Sequence, residues 1–339
     1  MTWTKPRTID FGLDIAAFKN RMNFEYDWYQ RTTFGEQGPA EQLPEVLGTT
    51  SPPQNNAVSE TRGWELSIGW EDRAFNIRNE ALRYGVKLLL SDYIGYAVKY
   101  VSNTTGSRSG WTPGQKFGVL YGYESAGIQS KANDLENKTI PGGGWHYQGD
   151  LYYKDLNGDG LINGGEGGYW YSEGDLVVLG YNYPRYNYSI RLDAEWKNWS
   201  LFILLNGVGK EVAYINNALT TGAIDIGSRG LLDFQGKLGY WTTENQNAFF
   251  PRLYRGSQNF NAANNQYLLN LAHLRIQNIN LNYIIPLKNR IMEDLEVNLS
   301  VENVGMIFYK SWDKLDPQLL LSPTYPPSRI YAIGLKCRL

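Results

Sequence analysis

The stretch Tyr186-Asn187-Tyr188-Ser189-Ile190-Arg191-Leu192-Asp193-Ala194-Glu195-Trp196 runs through Lys197-Asn198 into Trp199-Ser200-Leu201-Phe202-Ile203-Leu204-Leu205. In its first half Tyr186, Tyr188, Ile190, Leu192, Ala194 and Trp196 alternate with Asn187, Arg191, Asp193 and Glu195. Successive side chains of a strand point to opposite faces, so this alternation makes one strand with an apolar face and a charged face. Lys197-Asn198 then turns the chain into a second strand, which sets Trp199, Leu201, Ile203 and Leu205 on its apolar side.

The same period of two extends in both directions. Ile9, Phe11, Leu13 and Ile15 share a face, a turn falls near Lys19-Asn20, and Met22, Phe24, Tyr26 and Trp28 return; Asp10, Asp14, Asn23, Glu25 and Asp27 lie on the other side. Trp64, Leu66, Ile68 and Trp70 alternate with Glu65, Ser67 and Glu71, and Leu82, Tyr84, Val86 and Leu88 with Arg83 and Lys87. Leu274 and Ile276 start another strand, whose apolar phase slips to Ile279, Leu281, Tyr283 and Ile285, as a bulge at Gln277-Asn278 would cause. Leu295, Val297, Leu299 and Val301, then Tyr331, Ile333, Leu335, Cys337 and Leu339, complete an all-β chain of about nine or ten strands of membrane-crossing length.

Connections near Lys19-Asn20, Asp72 to Asn79, Lys197-Asn198 and Pro286 to Asp294 are short, whereas those at 93–184 and 207–270 are long. This alternation is typical of an outer-membrane barrel with short periplasmic turns and long extracellular loops. A soluble sandwich shares the periodicity, but three features favour the barrel. No apolar face carries a charge, aromatic residues gather at strand ends (Trp28, Trp70, Tyr186, Trp196, Trp199), and connection lengths alternate. No uncharged apolar run approaches the roughly 18 residues of a transmembrane helix. The 34 acidic and 32 basic residues nearly cancel, which leaves no broad basic field for nucleic acid. The single cysteine, Cys337, forms no internal disulfide. Met1 to Asp14 has no export-signal pattern, and about nine strands leave sheet edges open, so the expectation is a fragment with plug and N-terminal strands absent.

Several motifs occur in order: Asn55-Asn56 to Gly63-Trp64-Glu65-Leu66, Gly118-Val119-Leu120-Tyr121-Gly122-Tyr123 to Gly127-Ile128, and Gly149-Asp150 with Tyr153-Lys154-Asp155-Leu156-Asn157-Gly158-Asp159-Gly160. Leu179-Gly180, Pro184, Trp241, Pro251-Arg252-Leu253, His273 to Ile279, Tyr283, Pro286, Asp316-Pro317, Tyr325-Pro326, Arg329 and Gly334-Leu335 come after them. Across nearly the whole chain they resemble the C-terminal barrel portion of the SusC/RagA family of TonB-linked outer-membrane proteins; Leu339 stands where such barrels usually end in an aromatic. The resemblance implies a multi-pass protein of a Gram-negative outer membrane, of the Bacteroidetes type, that imports glycans or other nutrients rather than catalysing a reaction. It also implies a SusD-like surface lipoprotein as partner, TonB acting through the absent N-terminal part, contact with membrane lipid, and an oligosaccharide or peptide substrate.

Asp155, Asn157, Asp159, Gly160 and Glu166 fit the twelve-residue calcium loop D-x-N-x-D-G-x5-E. Side-chain oxygens of Asp155, Asn157 and Asp159, the Leu161 carbonyl, Asn163 and the Glu166 carboxylate would hold Ca2+ in an extracellular loop; the bland alternative is a turn that caps itself. His146 and His273 have no nucleophile or metal partner in sequence, and the alternating carboxylates read as a wet lumen, so no catalytic residue is assigned. Trp145, Tyr147, Tyr169, Trp170 and Trp241 (with Tyr240) either stack on sugar rings or pack the long loops together. The rival readings are a soluble or surface calcium-loop β protein that binds carbohydrate, and a β-rich hydrolase.

Overall fold

The computed structural model describes residues 3–38, 54–77, 80–100, 111–128, 148–165, 174–214, 239–252, 262–287, 292–311, 316–317 and 327–338. In chain order the strands are β1 (Lys5–Ala17), β2 (Met22–Gly38), β3 (Gln54–Ile77), β4 (Glu80–Lys99), β5 (Val119–Tyr123), β6 (Ser125–Ile128), β7 (Leu151–Tyr153) and β8 (Leu176–Tyr181). Then come β9 (Arg185–Trp196), β10 (Trp199–Lys210), β11 (Val212–Tyr214), β12 (Leu268–Asn270), β13 (His273–Pro286), β14 (Asp294–Tyr309) and β15 (Ile330–Arg338). Nine of them make one antiparallel meander, β1-β2-β3-β4-β9-β10-β13-β14-β15, while the short strands pair as β5-β8, β6-β7 and β11-β12.

The strand ends joined by the short connections 18–21, 78–79, 197–198 and 287–293 lie at one end of the sheet, and those joined by the longer ones 39–53, 100–184, 211–272 and 310–329 at the other. Phe18, Lys19 and Asn20 reverse the chain in left-handed conformations with φ of 54°, 60° and 63°, and Lys197 does so with φ of 53°. The bulge expected near Gln277 is present, because β13 skips that residue: Leu204 faces Asn278 while Leu205 faces Ile276.

Register joins the apolar stripes into rows that cross the sheet. One runs Ile15, Phe24, Ile68, Leu88, Ile190, Leu205 and Ile276. Another runs Met22, Trp70, Val86, Leu192, Ile203, Ile279, Val301 and Tyr331. Among the described residues no second sheet covers this face: Phe11 is 63% exposed, Leu299 44% and Ile333 76%. A sandwich would bury such a surface, and a continuous apolar face of this extent in water would be an aggregation site. Hydrocarbon satisfies it, provided the backbone is paired within a barrel. Aromatic pairs sit toward its limits, with Phe18 and Trp70 rings 5.7 Å apart, Trp199 and Tyr283 4.3 Å apart, and Trp28 directly opposite Trp64.

The strands outrun the sequence stripes. The connections read as 93–184 and 207–270 narrow to 100–184 and 211–272, and β3 and β4 continue through most of Asp72 to Asn79. Side-chain alternation marks only the part of a strand that faces lipid, whereas backbone pairing continues past it with mixed side chains.

Candidate functional site

The face opposite the apolar rows is mainly polar. Asp14 lies opposite Glu25, and that row continues through Ser67, Leu89, Ser189 and Asn206. The next has Asp27 opposite Glu65, then Ser91 and Asn187. A hollow of about 550 Å³ opens here, lined in part by Glu25, Asp27, Glu65, Ser91 and Asn187. Like charges directly opposite each other are unfavourable unless water or a counter-charge screens them, so this wall is built for a wet space. Toward the short turns the charges pair instead: Arg191 Nε donates to Asp193 at 2.7 Å, and Arg21 Nη1 to Asp72 at 3.0 Å. On β13 and β14, Asn298 Nδ2 donates to Asn280 and Asn282, giving an uncharged amide patch. The wall thus sets facing carboxylates on β1–β3 and an amide patch, flanked by Glu296 and Glu302, on β13–β14.

Above it, the described parts of the two long connections pack together into a cap. Phe250, Leu151, Tyr153, Ile162, Tyr267 and Tyr123 form its buried cluster, drawn from both connections. Phe250 and Tyr267 stack with centroids 5.8 Å apart, and the Tyr267 hydroxyl donates to the Phe249 carbonyl at 3.0 Å. Tyr123 N donates to Ala263 O at 2.9 Å, and Arg252 Nε donates to the fully buried Asp150 at 2.7 Å. Gly122 is required at its place, because a Cβ there would stand 2.4 Å from Ala263 O. Arg185 Nε and Nη2 clasp both oxygens of Asp92 at 2.5 Å, fastening β9 to β4 where the first connection rejoins the wall. Arg275 on β13 reaches Asp316 of the last connection at 2.7 Å.

Burial within the cap raises the Tyr214 phenol to about 12 and pushes the Tyr153 and Tyr267 phenols up further, so all three stay neutral hydrogen-bonding groups. Tyr183, stacked on Tyr93 at 5.4 Å, is raised to about 12 by the same cause against the opposing pull of Arg185. Desolvation also raises the Glu211 carboxyl at the β10–β11 junction.

Asp155, Asn157, Asp159, Leu161 and Asn163 sit together in one tight turn, and Glu166 lies outside the described residues. Asp155 accepts from Gly158 N at 2.7 Å and Gly160 N at 2.9 Å, Asn157 from Asp159 N at 3.1 Å, and Asp159 from Leu161 N at 2.7 Å. Each oxygen has a second lone pair, so these bonds are compatible with a cation and also suffice for a self-capped turn. Among the described residues no group of three or more His, Cys, Asp or Glu side chains is placed to hold a metal. Sequence reading missed Asp175, which is wholly buried and accepts from Leu156 N at 2.7 Å and Asn163 N at 2.9 Å, bracing the turn from 12 residues beyond Asn163.

Of the two alternatives for Trp241, its surroundings match packing within the loops. It is 7% exposed, and its six-membered ring fills the space a Cβ on Gly149 would enter, so it packs the cap and offers no open platform for a sugar. Trp145, Tyr147, Tyr169, Trp170 and His146 lie outside the described residues. The His273 Nδ1 is 2.8 Å from the Leu271 carbonyl.

No family model matches the chain. It is 24% identical over 332 residues to TonB-dependent receptor P3 of Formosa agariphila, and 22% identical over 344 residues to TonB-dependent receptor P26 of the same organism. Each alignment takes in 94% of the chain and 31% of the relative, so the chain spans about a third of these relatives. Its fold superposes on the solved RagAB peptide transporter with a TM-score of 0.71 and 21% identity, over 99% of this chain and 35% of that one. The sequence likenesses and the nine-stranded wall agree: this chain is similar to about a third of a TonB-dependent receptor and forms part of the wall of an antiparallel outer-membrane β-barrel.

Proposed function

We propose that the protein containing this wall imports a nutrient across the outer membrane, capturing ligand beside the cap and passing it along the polar face. The observation that carries this reading is the pairing, strand by strand, of a predominantly apolar face with a mainly polar one beside a folded cap, as an outer-membrane barrel wall requires. Energy would reach it from TonB and substrate from a SusD-like lipoprotein, as the family resemblance implies. Likeness to a peptide transporter supports a peptide substrate, and the amide patch on β13–β14 suits peptide groups and sugar hydroxyls alike. The test is uptake, by the bacterium that makes the protein, of fluorescently labelled peptide and oligosaccharide pools. Uptake of one pool is expected to stop on deletion of the gene and on loss of TonB; uptake that survives both deletions overturns the reading.

We also propose that the turn at 155–166 binds Ca2+ and stiffens the cap without taking part in transport. Its support is the oxygen-only donor set held at alternate positions by backbone donors. Calorimetric titration of the purified protein with calcium chloride is expected to show one bound ion that Asp159→Ala removes, and chelation is expected to speed cleavage after Lys154 by trypsin. The absence of calcium-linked heat would leave the self-capped turn as the correct description.

A further inference from the structure

We propose that the outward face of β1–β4 carries, at the extracellular limit of its apolar band, a ledge that binds the phosphate groups of an outer-leaflet glycolipid. The inference rests on the barrel's place in the membrane and not on the import reading. Directly opposite residues of antiparallel strands share a face, so the register fixes which side chains lie beyond the Trp28–Trp64 pair on the lipid side. The first row above it holds Ile9, Gln30, Arg62 and Ile94; the second Arg7, Thr32, Glu60 and Tyr96; the third Lys5, Phe34, Val58 and Lys99. Four cations thus stand against one anion in these rows, and from Trp64 down to Trp70 the charge on this face of β1–β4 is Asp92, opposite Trp64 and neutralised by Arg185.

The one anion is an internal buttress. Glu60 is 8% exposed and accepts from Gln30 Nε2 at 2.7 Å, Thr32 Oγ1 at 3.3 Å and Arg62 Nε at 2.6 Å. Arg62 also lies 5.3 Å from the Tyr96 ring centroid, yet its side chain is 55% exposed. With Nε committed to Glu60, the half-exposed guanidinium keeps the four Nη–H donors of a fork that suits a phosphate. Arg7 sits two strands away, about 10 Å across the sheet, so both long side chains can reach one headgroup. Only lipid can cover the apolar rows beneath, and its headgroups lie at the level where these cations begin. Charge complementarity selects an anionic headgroup, and in an outer leaflet the phosphate of a glycolipid supplies it.

The test uses the whole protein extracted from its own outer membrane in mild detergent, with co-purified phosphorylated glycolipid quantified by mass spectrometry. Lys5→Gln with Arg7→Gln, which disturbs no buried partner, is expected to lower retention about fivefold for each cation removed, and Arg7→Gln with Arg62→Gln at least as much. Rebinding of lipid A from micelles is expected to fall comparably when its phosphates are removed enzymatically. Glu60→Gln separates positioning from bulk charge: loss of a negative group alone would strengthen retention, whereas release of Arg62 from its buttress weakens it. Unchanged retention in both double variants, indifference to the lipid phosphates, or stronger retention by Glu60→Gln would each overturn the proposal.

Discussion

Replacing Asp92 with alanine is expected to destabilise the junction of β4 and β9 by about 3–5 kcal/mol, because it strands a buried guanidinium. Arg185 is 4% exposed and Asp92 6%, and Asp92 also accepts from Tyr186 N at 3.2 Å. The Tyr181, Tyr183 and Tyr186 rings surround the guanidinium at 4.6, 6.0 and 5.4 Å, so little water can reach it once the carboxylate is gone. The measurement is hydrogen exchange at the Tyr186 to Tyr188 amides, together with the temperature at which the purified protein loses its compact migration in detergent gels. Both should report loosening. The double variant Asp92→Ala with Arg185→Leu should recover most of the loss, since it leaves no buried charge unpaired. A double variant as weak as the single would mean that packing of the tyrosines, and not the ion pair, holds the junction.

This contact also marks how far the sequence could be read. Lipid imposes the same demand on every outward residue of every strand, so the stripes from Ile9 to Ile15 and from Tyr186 to Trp196 show in the sequence, and even the slip at Gln277 appears as a change of phase. Asp92 and Arg185 are 93 residues apart, and nothing in local periodicity links them. The one visible signal is that Asp92 falls on the outward alternation of β4, two residues past Leu90, where an apolar side chain is due. The cap was hidden for a different reason. Its strands are short, and Leu151–Tyr153 and Leu268–Asn270 have three residues each, too few to show a period. The oxygen-rich turn at Asp155 was legible because its ligand types keep a fixed spacing, yet its brace, Asp175, comes from beyond the loop and resembles an ordinary Gly-Asp turn.

Phe250→Ala is expected to remove about 3–5 kcal/mol from the cap and almost nothing from the wall. The ring is wholly buried, stacked on Tyr267 and at an 85° angle to Phe249, while its backbone bonds to Trp241 N at 2.9 Å and Gly239 O at 3.1 Å. It therefore stands where three stretches meet: 148–165 from one connection, and 239–252 and 262–272 from the other. If the two connections form one cooperative unit, the cavity should raise hydrogen exchange in all three stretches together, while β9 and β10 keep their protection. Loosening confined to 239–252 would instead mean that each connection holds its own structure. The difference matters for import, since a cap that opens as one body presents a ligand with a single moving wall, whereas independent loops would offer two.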